Sequence, residues 1–589
     1  MPVQSGDELT PIQTNLNSTL QHLFRLRRHR NSLASPLLRL PTELILKIFE
    51  RATYPAHDDD EDEDDEDEDD EDEDDEDEDD EGEGDKDEDG KDEGHDGHDG
   101  HDDDDHNDDD HDDDDNDHDD SDCDDDSIST FPECRVALLV MVAICHKLRT
   151  IGITSPHLWS TVDFTIPSLA GLFLERCNYD PHHLIIGPSE ERFDSIVYPR
   201  RDALLQLQGR AFSNLRGLVY EGRASEFKDI VAPILQGPTK IQVLSLQNLT
   251  FPAELPWYPS APLPHLTDLR VREFSIDWTS TLLRNLTRLS LDCGFVHPTF
   301  MRPSVKTFLT ALANCPDLES LELSNAGPDP PNGHLDNCDT MVVQLRRLRR
   351  VVLQSKGASV SGCTLSHIGY PESASVQVRA SVDWAVDISR AISQVFPRGD
   401  SDTVKYLRRA KLLDIRVDED AYAFSTDTSH FSFGDWAQGH PQGLSQAASK
   451  TLEVFGTDSI ISLCMSITPC CIDLTDEIWE TFLHALPQLA RISYRRYGQE
   501  ENRGVIDPFV LVLSRPFEGG PVCPKLQLLE LPSEVLTREP SSTALKSALA
   551  GRNACGARLR WIGLSSGRPS EGDRLELEKF RGLADPIFW

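Results

Sequence analysis

Long apolar runs are absent from this sequence. The longest strongly hydrophobic stretch, VALLVMVAIC from Val136 to Cys145, is about half of the roughly 20 residues that a helix needs to span a membrane. The first ten residues contain Asp7 and Glu8 and form no apolar leader. Paired cysteine motifs are missing as well: the 13 Cys are scattered without a CxxC, and only Cys470 and Cys471 are neighbours. Free thiols in a reducing compartment, cytoplasmic and/or nuclear, are the expectation, with no membrane association. The NxT triplets at Asn17, Asn248 and Asn285 then carry no glycosylation meaning. No GxSxG, HExxH, Gly-rich phosphate loop followed by Lys, or dinucleotide fingerprint occurs. The chain therefore reads as a non-enzyme with no catalytic residue, no metal ligand set and no cofactor.

Positive charge is also scarce, with 56 Lys and Arg against 106 Asp and Glu. The imbalance is local. Residues 58–126 hold 51 acids and two Lys, and the rest of the chain holds 55 acids against 54 bases. A near-neutral remainder argues against a nucleic-acid binder, which needs a basic field on its folded surface. The acidic stretch adds His95, His98, His101, His106, His111 and His118 in its second half. It reads as a solvated, self-repelling disordered segment. A second reading is loose association with basic proteins or divalent cations. DKDEDGKDEGHD, from Asp85 to Asp96, fits part of a calcium loop, but it ends in Asp, has Asp92 where an apolar residue belongs, and lacks flanking helices. The basic cluster RLRRHR, Arg25 to Arg30, is a candidate counter-charge within the chain.

Just before the acid lies LPTELILKIFE. Pro41 suits a first helical turn, Glu43 complements the helix dipole, and Leu40, Leu44 and Ile48 recur at i, i+4, i+8 with Ile45 and Phe49 widening the stripe. Burying each such side chain is worth roughly 1.5–3 kcal/mol, so the helix needs a packing partner. The acid offers none. Apolar character returns at FPECRVALLVMVAICHKLRTIGITSPHLWSTV, where Val136, Leu139, Val140, Ala143, Ile144 and Leu148 are expected to point inward.

LPTELILKIF resembles the first helix of the F-box, and ICHKLRTIGITSPHLW resembles its closing half. Segments 40–54 and 131–159 together make 44 residues, close to a whole F-box, so the acidic stretch is expected to interrupt one small all-α domain. One position departs from the family's pattern, with Leu148 where a Trp is usual. The expected organisation is an N-terminal helical or flexible segment (1–37), an F-box first half (38–54), a disordered insertion (55–130), an F-box second half (131–160) and a large C-terminal region (161–589).

In that last region LAGLFLERC and HHLIIG read as a helix and a strand. Then a pattern of apolar, two spacers, apolar, one spacer, apolar recurs: IQVLSL (Ile241, Leu244, Leu246), LTDLRV from Leu266, LTRLSL from Leu286, LESLEL from Leu318, LRRVVL from Leu348, LARISY from Leu489, LQLLEL from Leu526 and LRWIGL from Leu559. LRGLVY from Leu215 begins the series. This resembles the strand signature of leucine-rich repeats, a familiar companion of the F-box. The last positions step by 26, 25, 20, 32 and 30 residues from Tyr220 to Leu353, wider than regular repeats. An α/β, leucine-rich-repeat-like irregular solenoid is expected, against the alternative of a non-repetitive α/β domain. Ser425 to Lys450 is expected to be a loop outside the repeat.

The F-box resemblance implies docking on the Skp-type adaptor of a cullin-based (SCF-type) ubiquitin ligase. Leu40, Pro41, Leu44, Ile45, Ile48, Phe49, Ile144, Cys145, Leu148 and Trp159 would then be core or contact residues. A protein substrate would meet the outward spacers Ser245, Arg270, Ser290, Glu322, Val352, Glu530 and Gly563, where neither one charge sign nor an aromatic stack dominates. The competing expectation is a scaffold without ligase function, whose acidic stretch binds basic proteins or cations.

Overall fold

A computed structural model describes residues 22, 23, 25, 26, 40–53, 138–187 (without 141, 144 and 145), 212–294 (without 238, 251, 257, 258, 260 and 261), 302–330, 341–381, 388–396, 402–417, 421–434, 444–467, 476–496, 508–515, 521–565 (without 538) and 570–587. The acidic insertion, Ile144 and Cys145 lie outside these residues. The chain divides into two compact units, Met1–Leu158 and Trp159–Trp589.

In the smaller unit, a helix spans Thr42–Thr53. The Pro41 carbonyl accepts from Leu44 N and Ile45 N, both at 3.1 Å, so Pro41 closes the helix start. Ile45 and Phe49, one turn apart, are each 1% exposed. A second helix, His146–Ile153, packs on the first and buries Leu148, Ile151 and Gly152. Lys147 Nζ donates to the Leu40 carbonyl at 3.4 Å, joining residues on opposite sides of the acidic stretch. Gly152 has no side chain because Val142 lies where a Cβ would sit. The expected inward set is corrected here: Leu138 is buried, while Val140 is 53% exposed and Ala143 is exposed. The apolar stripe runs through Leu138 and half-buried Val142, an i, i+4 pair that puts 140 and 143 outside.

The larger unit is α/β, with one mostly parallel sheet of 17 strands among the described residues. Its strands, with those of two small two-stranded sheets, are β1 (Thr161–Asp163), β2 (His183–Ile186), β3 (Gly217–Gly222), β4 (Val243–Asn248), β5 (Ala253–Glu254), β6 (Asp268–Arg272), β7 (Phe274–Ser275), β8 (Arg288–Asp292), β9 (Ser320–Ser324), β10 (Val343–Gln344) and β11 (Arg350–Ser355). There follow β12 (Ile368–Gly369), β13 (Ser375–Ser381), β14 (Leu412–Val417), β15 (Ala421–Ser425), β16 (Ser429–Gly434), β17 (Ser462–Ile467), β18 (Arg491–Arg496), β19 (Leu528–Leu531), β20 (Trp561–Leu564) and β21 (Asp585–Pro586). β5 pairs with β7 and β10 with β12. In the main sheet the chain adds strands in order from β1 to β13 and again from β17 to β21, each parallel to the last.

Each strand buries the apolar positions that the pattern marks. Leu215, Leu218 and Tyr220 are 0–1% exposed, and Leu318, Leu321 and Leu323 are 0–3% exposed. Helices cover this face, and Ala358–His367, Ile388–Val395, Leu444–Val454, Asp476–His484, Pro508–Ser514 and Ser541–Ala554 pack successively against one another. Asparagine side chains tie neighbouring loops: Asn248 Oδ1 accepts from Ala224 N at 3.1 Å, while Asn325 Oδ1 accepts from Lys356 N and its Nδ2 donates to Gly294 O.

The middle of the sheet departs from sequential order. β16 pairs in parallel with β13, β14 pairs in parallel with β17, and antiparallel β15 fills the gap between them. The segment Ser425–Lys450, expected to be a loop outside the repeat, therefore contains β16 and the start of the helix Leu444–Val454. Aromatic packing supplies what the leucine pattern lacks there. Phe424 stacks on Phe431 at 5.2 Å, and Phe396 meets Phe431 edge-on at 4.9 Å.

Close packing of Ala358–His367 on Ile388–Val395 generates a stability prediction. A Cβ on Gly362 would collide with the Gln394 carbonyl oxygen, whereas one on Gly171, within the helix Pro167–Arg176, meets nothing within 4 Å. Gly362→Ala is expected to lower stability by about 1–3 kcal/mol. Gly171→Ala should leave it unchanged or raise it by up to about 1 kcal/mol. Urea unfolding midpoints of the two variants check the contrast.

Candidate functional site: an apolar helix face and an open sheet face

The two units each present a surface. On the helix Thr42–Thr53 the expected stripe splits in two. Ile45 and Phe49 are interior, while Leu44 is 45% and Ile48 39% exposed on the outer side. Leu40 is half-buried and Pro41 exposed. Among the residues expected to form this site, Leu148 is core at 1% exposure. Trp159, expected as a core or contact residue, is 2% exposed, lies in the larger unit, and packs edge-on against Phe173 with ring centroids 5.0 Å apart. It has no surface to offer a partner.

On the sheet, strand alternation sends every second side chain away from the helices. Ser245, Arg270, Ser290, Glu322 and Val352 stand in register on consecutive strands and are all half-buried. The same line continues through Gln377, His430, Ser425, Asp414, Cys464 and Ser493 to Glu530 and Gly563. Glu530, expected to face solvent, is 4% exposed because Arg491 lies over it, donating from Nη2 at 3.0 and 3.1 Å to its two oxygens. Gly563 is buried.

Residues 377, 430, 414, 464 and 493 escaped the sequence reading. Ile460, Leu463 and Met465 fit the same spacing as the nine leucine-based segments, and admitting Met at the last position would have found β17. β15 and β16 carry Phe and Tyr inward where the pattern asks for Leu, and β14, with Leu413 and Ile415 inward, has Ala410 at the first pattern position.

Charges on this face are largely matched within it. Arg270 pairs with Asp268 at 3.3 Å, Arg272 with Asp292 at 3.5 Å, Arg350 with Glu322 at 3.6 Å and Arg416 with Asp414 at 3.6 Å. Exposed pairs of this kind add little stability, about 0–1 kcal/mol each. Their consequence is a surface without a strong field of either sign. Burial pushes the Cys464 thiol above its usual range and Asp414 adds to the effect, so the thiol stays protonated and a poor nucleophile. His430 is held below the usual imidazole range, first by burial and then by Arg379 and Arg416, with Asp414 opposing. Among the described residues no group of His, Cys, Asp and Glu is placed to hold a metal ion, and no helix is long and apolar enough to cross a membrane. The described cysteines, from Cys177 to Cys555, are free thiols.

No protein-family model matches the chain, and no curated protein matches it.

The histidines make stability depend on pH. His183 on β2, buried mainly against solvent and near His182 and Arg216, has its pKa lowered from 6.5 to about 4. His430 is shifted in the same direction. A lowered folded-state value means that the unfolded chain takes up protons first. Their contribution is complete above about pH 6.5 and is lost as pH falls towards the folded values. Unfolding midpoints measured between pH 7 and 5.5, above the ordinary carboxylate range, should fall with acidification. His430→Gln should make that fall shallower, and an unchanged slope would assign it elsewhere.

Proposed function

We propose that the chain is a substrate-recognition adaptor of a cullin-based, SCF-type ubiquitin ligase. In this reading residues 40–54 and 131–159 form an F-box that docks on the Skp-type adaptor. The large sheet is an irregular leucine-rich-repeat-like solenoid whose open face holds a protein substrate. The single observation that carries the reading is the helix Thr42–Thr53, which packs one apolar edge against His146–Ile153 and leaves Leu44 and Ile48 exposed on the other. Two large aliphatic side chains one turn apart cost free energy in water and fit a groove or helix face on a second protein. Support for the substrate surface comes from its matched charges, which suit a protein better than a polyanion.

Such a protein performs no bond-making step. It raises the effective concentration of the substrate's lysines near the ubiquitin-loaded enzyme. It works in the cytoplasm or nucleus, where the thiols stay reduced. Its acidic stretch, net −49, favours one further reading: a scaffold that collects basic proteins or divalent cations without a ligase.

Co-purification with the Skp-type adaptor separates the two. Wild type should be captured, and Leu44→Asp with Ile48→Asp should lose capture while keeping its circular dichroism, because both side chains are exposed. Phe49→Ala should instead destabilise the small unit by about 3–5 kcal/mol. A chain lacking residues 58–126 tests the insertion: capture only after deletion would make the acid an inhibitor of docking. Absence of capture in both forms would leave the scaffold.

A further inference from the structure

Lys525, Arg558 and Arg560 line one cleft of about 360 Å³ at the N-terminal edge of β18, β19 and β20. Gln488 and Gln527 share its lining, and no carboxylate does. None of the three cations pairs with an acid among the described residues. This contrasts with Arg270, Arg272, Arg350 and Arg416, each of which has its own carboxylate. Asp585, opposite Trp561 in register, does not line the cleft.

The cleft has a built frame. Its Pro524–Lys525 turn is held from beneath by Arg552, 4% exposed, which donates to the Val522 and Cys523 carbonyls, the latter at 2.9 Å. The Cys523 thiol donates to the Leu483 carbonyl at 3.3 Å. Arg560 N donates to Gln527 O, and Gln527 N donates to Ala490 O, so the walls belong to the parallel ladder. Gly556, with φ +78°, lies in the lining with nothing within 4 Å of a would-be Cβ, which leaves room for a ligand. Beside the cleft, Trp561 is 38% exposed, with the Arg560 guanidinium 5.2 Å from its ring centroid. Leu528 stands next to it in register and is half-buried. Trp and Arg are among the residues that dominate binding energy at protein interfaces.

We propose that this cleft and Trp561 bind an acidic peptide segment of a protein partner, with carboxylates on Lys525, Arg558 and Arg560 and an adjacent apolar side chain on Trp561. The proposal rests on the reading of the large unit as the substrate-holding surface. A run of carboxylates fits better than one phosphate because the cations do not share a focus. Lys525 is tied to the Gln488 side-chain oxygen, Arg560 lies over Trp561, and Arg558 is exposed. Separate positive charges suit separate negative ones.

The test is fluorescence anisotropy with a labelled peptide of Asp and Glu containing one Leu. The 51 acidic residues of 58–126 compete with any added acid, so the full chain and a chain lacking residues 58–126 are both measured. Binding should weaken steeply with salt, and Lys525→Glu with Arg558→Glu should weaken it at least tenfold. Arg558→Ala, at an exposed position that cannot unfold the unit, should weaken it severalfold. Trp561→Ala should lower affinity for the Leu peptide but not for its Leu→Ser counterpart. No binding by either form, equal binding by the charge-reversed variant, or tighter binding of a single-phosphoserine peptide than of the carboxylate run would overturn the proposal. None of these variants touches Leu44 or Ile48, so capture by the Skp-type adaptor is scored separately and its failure is distinguishable.

Discussion

The parallel register of the main sheet is the constraint on which the larger unit depends. Because β3, β4, β6, β8, β9 and β11 pair without slippage, Leu218, Leu244, Leu269, Leu289, Leu321 and Val351 fall on one line. Tyr220, Leu246, Val271, Leu291, Leu323 and Leu353 fall on the next. A slip of one residue in any strand would turn Arg270 or Glu322 into the core and a leucine out of it. Register and apolar pattern therefore enforce each other, and the outward line of polar residues is a by-product of the same alternation. A continuous outward face arises without any strand having to be built for it.

The break in the middle shows how much departure that constraint tolerates. The chain leaves β13, places β14 beyond two empty positions, and returns through β15 and β16 to fill them before reaching β17. Direction is reversed only in β15, yet the inward line persists, since Val378, Phe431, Phe424, Ile415 and Met465 are partners in sequence across the strands. Antiparallel pairing changes the hydrogen-bond geometry but not the period of two. Phe424, Phe431 and Phe433 are buried beneath β15 and β16 beside Phe396.

That is also where reading the sequence succeeded and failed. Strands carrying Leu, Ile or Val at all three pattern positions were visible because three buried sites at fixed spacing are hard to produce by chance. β15 and β16 were not, because their inward residues are Tyr and Phe, and β14 was not, because Ala410 stands at the first pattern position ahead of Leu413 and Ile415. On the helix Thr42–Thr53 the period identified the apolar residues but not their sorting. A stripe wide enough to include residues 44, 45, 48 and 49 has two edges, and only packing against His146–Ile153 decides which edge is interior. The same limit put the inward phase near Leu138 off by one residue, since VALLVMVA is apolar on every side. Glu530 was placed correctly by alternation and still misjudged, because its burial is due to a long side chain from a neighbouring strand rather than to its own backbone.

The small unit sits on a narrow energetic margin. Lengthening a connection from about five residues to roughly 75 adds on the order of 2–2.5 kcal/mol of closure entropy. Ile45, Phe49 and Leu148, at roughly 1.5–3 kcal/mol each, offset it. The acid adds no apolar contact to this balance, and its self-repulsion falls as ionic strength rises. Small changes in salt or in bound cations therefore act on the same few kilocalories that hold helices 42–53 and 146–153 together. A domain interrupted in this way is one whose assembly can respond to its ionic surroundings.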